Sequence, residues 1–433
     1  MNLLQRLQQA NYNSTAISAG ADISYPQLVA QAVQLRQQYP ALQHHAIALS
    51  YTDLSTFTCD LLAFDGWCRA LYLLPDNNLE LPEQVIRWPE NTSTAPITAT
   101  ATATPIAETT LWYLATSGTT GTPKWIAHSF TSLSRAAKAS VQSAALHWAL
   151  CYQPSRFAGL QVLLQSLLSG AVITDCNSGD AQQRFNLMQQ YSVNAVSATP
   201  SLWRQLLMTA QINALPLQQI TLGGEITDQP LLDTLAALFP TARLLHIYAS
   251  TEAGVGFAVA DKRAGFPASW LNQCHSNLLL KIDAKQHLWL KPPQLPDTRL
   301  ASAVDSDGYL DSGDLVTIVQ DRVVFLGRAS GVINVGGNKV HPEQVEQVLL
   351  QYPAVRQAKV YAKTSSVIGQ LVIADIVVDT GTDSKTLQAQ LVQHCQQQLE
   401  RYQLPARFNI VSSLATNATG KLSRKADVKE PHE

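Results

Sequence analysis

The apolar positions of this chain follow two periods in turn. Between Tyr25 and Tyr39 the residues Leu28, Ala32, Leu35 and Tyr39 recur at helical spacing, which predicts an amphipathic helix with one buried face. Ala46 to Ser50 is instead a short continuous apolar run of the kind a buried strand shows. A second run, Thr110-Leu-Trp-Tyr-Leu-Ala115, predicts a strand that leads straight into a glycine-rich segment. Over residues 130–325 strand-like runs (171–174, 195–197 and 219–222) alternate with helix-length amphipathic stretches. Alternation of this kind predicts an α/β layered fold. Residues 91–107, NTSTAPITATATATPIA, break the pattern and read as a partly extended surface connection.

The texture changes near Gly327. Beyond it, Val345, Val348, Leu349 and Tyr352 form an i, i+3, i+4, i+7 stripe that predicts a helix over 343–352. Pro342 suits its first turn, where no backbone N–H is needed. Strands are expected at 358–362 and 371–378, then a helix over 384–402 and a polar tail. About 105 residues after Gly327 are enough for a small α+β domain. The expected division is therefore residues 1–327 and residues 328–433. The chain shows no internal repeat.

Composition adds limits rather than an activity. A chain of 433 residues is too long for one ordinary core. Its hydrophobic content of 46% fills two or three such cores, while only 14% of residues are charged, below the usual quarter. The formal net charge is -2 and no long basic run occurs, which argues against nucleic acid and anionic membrane as partners. The six cysteines form no CxxC pair, so neither a zinc site nor a disulfide framework is indicated. The opening MNLLQRLQQANYN is amphipathic and Gln-rich, without the apolar core of a signal peptide, and no run is long enough for a membrane span. A cytoplasmic location is the expectation.

Five segments carry candidate chemistry. Thr116-Ser-Gly-Thr-Thr-Gly-Thr-Pro-Lys124 sets Ser117, Thr119 and Thr120 around Gly118 and Gly121, with a lysine at the end. Glycines let backbone N–H groups approach an anion, hydroxyls add donors and Lys124 adds a cation, which together make a phosphate cradle. Pro123 stands where a Walker A loop needs glycine. In Tyr248-Ala-Ser-Thr-Glu-Ala-Gly254, Thr251 offers a hydroxyl to phosphate, Glu252 a carboxylate to Mg²⁺, and Tyr248 a flat face to a base. Asp314, at the end of Gly308-Tyr-Leu-Asp-Ser-Gly-Asp314, can accept from two vicinal sugar hydroxyls or simply close an Asx-type turn. Arg328 can hold a phosphate or ribose, and Gly336-Gly337 marks a loop with close backbone approach. Lys421 stands in a polar tail, where a lone lysine is ordinarily just solvated. Each of these, taken singly, is also compatible with an ordinary turn or surface.

In this order and spacing the five segments resemble the acyl-adenylate-forming superfamily: acyl- and aryl-CoA synthetases, adenylation domains of nonribosomal peptide synthetases, and firefly luciferase. The resemblance runs from Tyr25 to Arg424. It implies a large N-terminal domain of stacked α/β sheets with a distorted barrel, a small mobile α+β C-terminal domain, and an active site between them. It implies ATP and Mg²⁺ as cofactors, and CoA or a carrier-protein phosphopantetheine as the acceptor thiol. Thr116 to Lys124 would wrap the β- and γ-phosphates. Gly223, Gly224 and Glu225 would line the adenine and acyl pockets, Tyr248 would stack on adenine, and Thr251 would meet the α-phosphate. Glu252 would bind Mg²⁺, and Asp314 with Arg328 would hold the ribose. Lys421 would bridge the carboxylate and the α-phosphate, and Gly336 and Gly337 would line the thiol tunnel.

Departures from the family pattern bear on the acid and the hinge. Ala249 replaces a usual glycine before Ser-Thr-Glu, and Ser330 stands where the hinge usually has Asp or Lys. Arg156 occupies the position of a common histidine in Pro154-Ser-Arg-Phe-Ala-Gly159. No aspartate stands nearby to bind an α-ammonium group, which disfavours an amino acid. Arg156 either pairs with a second acidic or polar group on the acid or is a structural cation at a helix start. Phe157, Gly223, Ser250 and Gly254 would shape a slot for a flat ring. The length matches the family's compact aryl-acid ligases. The expected function is ATP-dependent formation of an acyl-adenylate from an aryl or related acid, then transfer to a thiol. The alternatives are a non-thiol acceptor or a homologue that binds nucleotide without turnover.

Overall fold

The computed structural model describes residues 1–89, 109–116, 124–209, 211–275, 278–293, 295, 297, 300, 303–365, 369–379, 384–416 and 421–422. Two sheets of mainly parallel strands account for most of the first 260 residues. The larger runs Gly254–Val259, Arg243–Ser250, Gln219–Gly223, Ala195–Ala198, His147–Leu150, Val172–Asp175, Thr15–Ile17, Ile23–Ser24. Its inner strands are parallel and its two outer strands antiparallel. The second sheet runs Val85–Trp88, Ala46–Ser50, Ala70–Leu74, Leu111–Thr116, and ends in the antiparallel return strand Lys124–Ser129.

Strands buried on both faces have no polar side to show, so they read as continuous apolar runs. Ala46–Leu49 and Ala195–Ala198 are buried at every position. The two sheets share a core with the helices Leu3–Ala10, Tyr25–Gln38, Leu54–Phe64 and Phe157–Ser169. A third, antiparallel sheet (Phe266–Pro267, Arg322–Arg328, Leu310–Val319, His287–Lys291, Leu279–Ile282) packs around Phe257, Phe266 and Leu288. The last sheet is built on the long hairpin Val355–Ser365 and Gly369–Val378, with Arg407–Ile410 added in parallel. Helices Pro342–Leu350 and Ser384–Gln396 cover it, and its apolar cluster runs from Ile333 to Phe408. The α/β class, with a large first unit and a smaller last one, is the one the sequence leads one to expect.

Boundaries differ from expectation where burial stops. The first amphipathic helix is Tyr25–Gln38, begun by a capping box between Ser24 and Gln27. Leu28 and Ala32 are buried as expected, but Tyr39 lies past the end and is exposed. The helix predicted at 343–352 spans Pro342–Leu350, so Tyr352 falls just outside it. The one predicted at 384–402 ends at Gln396, directly after the buried Cys395, and a 3₁₀ turn Arg401–Gln403 follows. The strand expected at 358–362 extends over Val355–Ser365. The connection 91–107 lies outside the described residues. Among the described residues no helix is long and apolar enough to cross a membrane.

Candidate active site

Strands Gln219–Gly223 and Arg243–Ser250 end side by side, with Gly223 opposite Ile247. A cleft of about 1720 Å³ opens beyond these ends and continues to the last sheet. Crevices outside the carboxyl ends of parallel strands are where open α/β sheets bind ligands.

The floor is Gly223-Gly224-Glu225. Gly224 has φ +84, a left-handed conformation that suits glycine. A Cβ on it would lie 3.3 Å from Lys421 Cε and 3.7 Å from Thr199 Cγ2, so the bare backbone makes room for the lysine. The buried Tyr152 hydroxyl donates to the Gly223 carbonyl at 3.3 Å.

The aromatic wall is Tyr248, stacked near-parallel with Phe257 (centroids 5.2 Å apart) and with Phe325 (5.3 Å). Its hydroxyl donates to Asp314 Oδ2 at 2.5 Å. Burial, and then the neighbouring carboxylate, push the Tyr248 pKa well above the ordinary phenol value, so this group stays a donor. Asp314 and Arg328 face each other across the Leu310–Val319 and Arg322–Arg328 pairing. Arg328 Nη1 donates to Asp314 Oδ1 and to the Ser312 carbonyl, each at 3.0 Å. Burial draws the Arg328 pKa down, but the Asp314 carboxylate outweighs it and the net shift is upward. Each Asp314 oxygen keeps a second lone pair for a hydroxyl donor.

The turn from Ser250 to Gly254 joins two antiparallel strands, and the Ser250 hydroxyl accepts the Ala253 N–H at 3.0 Å. Thr251 and Glu252 line the cleft from this turn. Gly254 has φ +78, and a Cβ there would approach Arg135 Nη2 to 3.5 Å. Among the described residues no group of three or more His, Cys, Asp and Glu side chains is placed to cage a metal. A single carboxylate, Glu252, fits Mg²⁺, which takes most of its ligands from phosphate and water.

Thr116 ends the strand Leu111–Thr116 and lines the cleft, and its hydroxyl donates to the Lys124 carbonyl at 3.3 Å. Lys124 opens the return strand and is exposed. The expected cradle residues between them, Ser117, Gly118, Thr119, Thr120 and Gly121, lie outside the described residues.

On the opposite side helix Phe157–Ser169 begins at the cleft with Arg156 as its N-cap residue. The Arg156 side chain makes no capping bond; its Nε donates to Gln153 Oε1 at 3.3 Å, and burial lowers its pKa. The positive end of a helix dipole is the wrong end for a cation, so the helix gains nothing from this arginine. Phe157 is half-buried and lies 5.8 Å, centroid to centroid, from the buried His128, whose pKa burial pushes down to about 4.

Lys421 reaches this cleft from the far end of the chain. The residue as a whole is exposed, and its side chain lines the cleft beside Gly224, where a Cβ would lie 3.3 Å from Cε and 4.0 Å from Nζ. Burial of its ammonium lowers its pKa; Glu225 and Asp314 act to raise it, and Arg328 and Arg156 to lower it. The following N–H, that of Leu422, donates to Glu225 Oε1 at 2.9 Å, and Glu225 Oε2 accepts the Ser201 N–H at 2.9 Å.

The cleft thus brings together Thr116, Arg156, Phe157, Gly223, Gly224, Glu225, Tyr248, Ser250, Thr251, Glu252, Asp314, Arg328 and Lys421. Ser330 also lines it, in the 3₁₀ turn directly after Arg328. Gly336 and Gly337 are not brought there. They form the tip of the hairpin Ile333–Val335 and Asn338–Val340, with φ +56 and +91 and no atom within 4 Å of either missing Cβ. Sequence reasoning missed Tyr152, Ser201, Phe325 and Arg135. Their residue types are common in packing roles, and only the strand order places them at the cleft.

Two family models match the chain: the AMP-binding enzyme over residues 66–274 and the AMP-binding enzyme C-terminal domain over residues 344–421. A 2-succinylbenzoate–CoA ligase of Staphylococcus epidermidis is 25% identical over 331 residues, covering 72% of this chain and 68% of the relative. Among solved structures, the anthranilate CoA ligase AuaEII in complex with anthranoyl-AMP superposes with a TM-score of 0.77 at 16% identity, covering 98% of this chain and 95% of that one. The amide bond synthetase McbA from Marinactinospora thermotolerans superposes with a TM-score of 0.73 at 17% identity, covering 98% and 97%. At these identities the two structures speak to the fold.

Proposed function

The chain belongs to the AMP-binding enzymes, and on that premise we propose that it is an acid–thiol ligase: it activates a carboxylic acid with ATP as an acyl-adenylate and passes the acyl group to a thiol. The observation that carries the reading is the position of Lys421, whose ammonium end rests on Gly224 between the Tyr248–Asp314–Arg328 wall and the Arg156 side of the cleft. A fixed cation at that junction is what two anions need in order to meet.

In the first half-reaction an oxygen of the acid attacks the α-phosphorus of ATP. The bond from that phosphorus to the oxygen bridging to the β-phosphate breaks, and pyrophosphate leaves with the electron pair. Lys421 offsets the repulsion between carboxylate and phosphate and stabilises the charge that develops. Asp314, held by Arg328 and Tyr248, is oriented to accept from the ribose hydroxyls. Thr251 donates to the α-phosphate, and Thr116 and Lys124 flank the phosphate cradle. Mg²⁺, held by Glu252, would supply charge neutralisation on the phosphates. In the second half-reaction a thiol gives up its proton and its sulfur attacks the acyl carbon; the carbon–oxygen bond to phosphate breaks and AMP leaves. For this step residues 328–433 act as the moving lid, turning at Ser330, and bring Gly336 and Gly337 to the thiol.

The acid is an aryl or related non-amino acid that carries a second anionic or polar group. Arg156 supports this, because it is a half-buried cation that its own helix does not use. Because 2-succinylbenzoate is the acid named for the relative above, it is the first to test here. ATP–pyrophosphate exchange across 2-succinylbenzoate, benzoates, cinnamates, fatty acids and amino acids should show exchange with an aryl acid. Mass spectrometry with CoA, a phosphopantetheine carrier protein and simple amines then reads the acceptor. Amide products without thioester would replace the thiol assignment, and ATP binding without exchange for any acid would overturn the enzyme reading.

A further inference from the structure

We propose that Glu225 is a positioning residue whose carboxylate clamps the C-terminal tail onto the start of helix Pro200–Leu207 and so sets where Lys421 stands; this rests on the acid-activating reading above. Its two oxygens are committed to two backbone amides that lie far apart in the chain, those of Ser201 and Leu422. Oε2 accepts the N–H of Ser201, in the first turn of that helix, at 2.9 Å. Oε1 accepts the N–H of Leu422 at 2.9 Å. A carboxylate at a helix start is favourably placed with respect to the dipole, so the first bond fixes the carboxylate. The second then fixes the peptide bonded directly to Lys421.

The neighbouring contacts hold the lid elsewhere. Gln357 Nε2 donates to the Ser201 carbonyl at 3.5 Å and Gln205 Nε2 to the Leu414 carbonyl at 3.4 Å. Both are long and neutral, and both act on the body of the last domain. The Glu225 bonds are short and charge-assisted, the stronger class. The same carboxylate also acts to hold the lysine protonated against the burial of its ammonium.

A lid that turns for thioester formation must withdraw Leu422 from Glu225. The clamp therefore belongs to the first half-reaction alone, which separates a positioning role from a merely structural one. Loss of a hydrogen bond to a charged group is a change on the order of ten- to a hundredfold. Glu225→Gln should lower ATP–pyrophosphate exchange by about that factor, and lose at least about fivefold less in thioester formation from a supplied synthetic acyl-adenylate than in exchange. Leu422→Pro removes the donor from the other side and should do the same. The double variant should lose less than the product of the two single losses, since both changes act on the bond between Leu422 and residue 225. In the enzyme without ATP, amide hydrogen exchange at Leu422 should speed up in Glu225→Gln, a readout that needs no acid.

If Glu225→Gln fails to fold, Leu422→Pro carries the same comparison. Wild type that exchanges with no acid overturns the ligase reading, while Leu422 protection still tests the clamp. The clamp itself is overturned by full exchange in both single variants, by equal loss of both half-reactions, or by unchanged amide exchange at Leu422.

Discussion

Gly327 offers a direct test of how the last domain is held. It sits in the strand Arg322–Arg328 at φ +141, a region that residues with a Cβ rarely enter. A Cβ there would lie 2.3 Å from Glu343 Oε2 and 2.8 Å from Glu343 Cδ. Glu343 belongs to the first turn of helix Pro342–Leu350, so the contact crosses from the large domain to the small one. Gly327→Ala therefore carries two costs. The backbone cost is about 1–3 kcal/mol wherever that φ is kept, and it lowers the stability of the whole protein. The contact with Glu343 is specific to this arrangement of the domains. The carboxylate is the far end of a flexible side chain, so it makes room by turning off its preferred rotamer, at about 1 kcal/mol. That second part alone shifts the balance between this arrangement of the domains and others about fivefold against it. Exchange should fall by at least that much, with a lower unfolding temperature. Adding Glu343→Ala should recover the fivefold but leave the unfolding temperature low, once compared with Glu343→Ala alone in a double-mutant cycle. Exchange at the wild-type rate in Gly327→Ala, or no coupling to Glu343, would refute the argument.

Three further outcomes are expected. Lys421→Ala should lose ~10²–10³ in pyrophosphate exchange, about 3–4 kcal/mol, yet spare thioester formation from a supplied acyl-adenylate; near-normal exchange would remove the lysine from the mechanism. Glu225 acts to raise the Lys421 pKa, so its loss in Glu225→Gln lets that pKa fall, and the alkaline limb of the exchange pH profile should move to lower pH. His128 is held neutral in the folded protein, with its pKa down from 6.5 to about 4, whereas the unfolded imidazole takes a proton below 6.5. The unfolded state then binds more protons between those values, so stability falls on acidification through that window, by about 3 kcal/mol in all. Urea unfolding at pH 7 and pH 5 reads about 2 kcal/mol of this loss, and His128→Gln should flatten it.

What the sequence reveals here, and what it hides, follows from the range of the interactions. Ala46–Ser50 and Ala195–Ala198 announce themselves because a strand covered on both faces must be apolar throughout. The helix ending at Gln396 does not announce its end, because the Gln-rich stretch beyond Cys395 neither forbids nor demands another turn. Thr251, Glu252, Asp314, Arg328 and Lys421 could be named only through the family resemblance that their segments carry together. Their partners could not. The ion pair of Asp314 with Arg328 exists only once two strands pair in one register. The bond from Leu422 to Glu225 spans 197 residues of sequence, and nothing local to either marks it.

That difference bears on mechanism. Groups that touch the reacting atoms are chosen by chemistry, and so they recur as recognisable words. Groups that decide which arrangement of the two domains is occupied are chosen by position, and any residue with a suitable acceptor serves. In this chain three such contacts lie close together: Glu225 on the tail, Gly327 against Glu343, and Gln357 on Ser201. Each bridges parts of the chain that must separate if the small domain turns, and only Glu225 lies beside a reacting group. Substitutions at these positions should therefore divide the two half-reactions, whereas changes in Asp314 or Tyr248, which on the proposed reading would hold the nucleotide in either arrangement, should slow both.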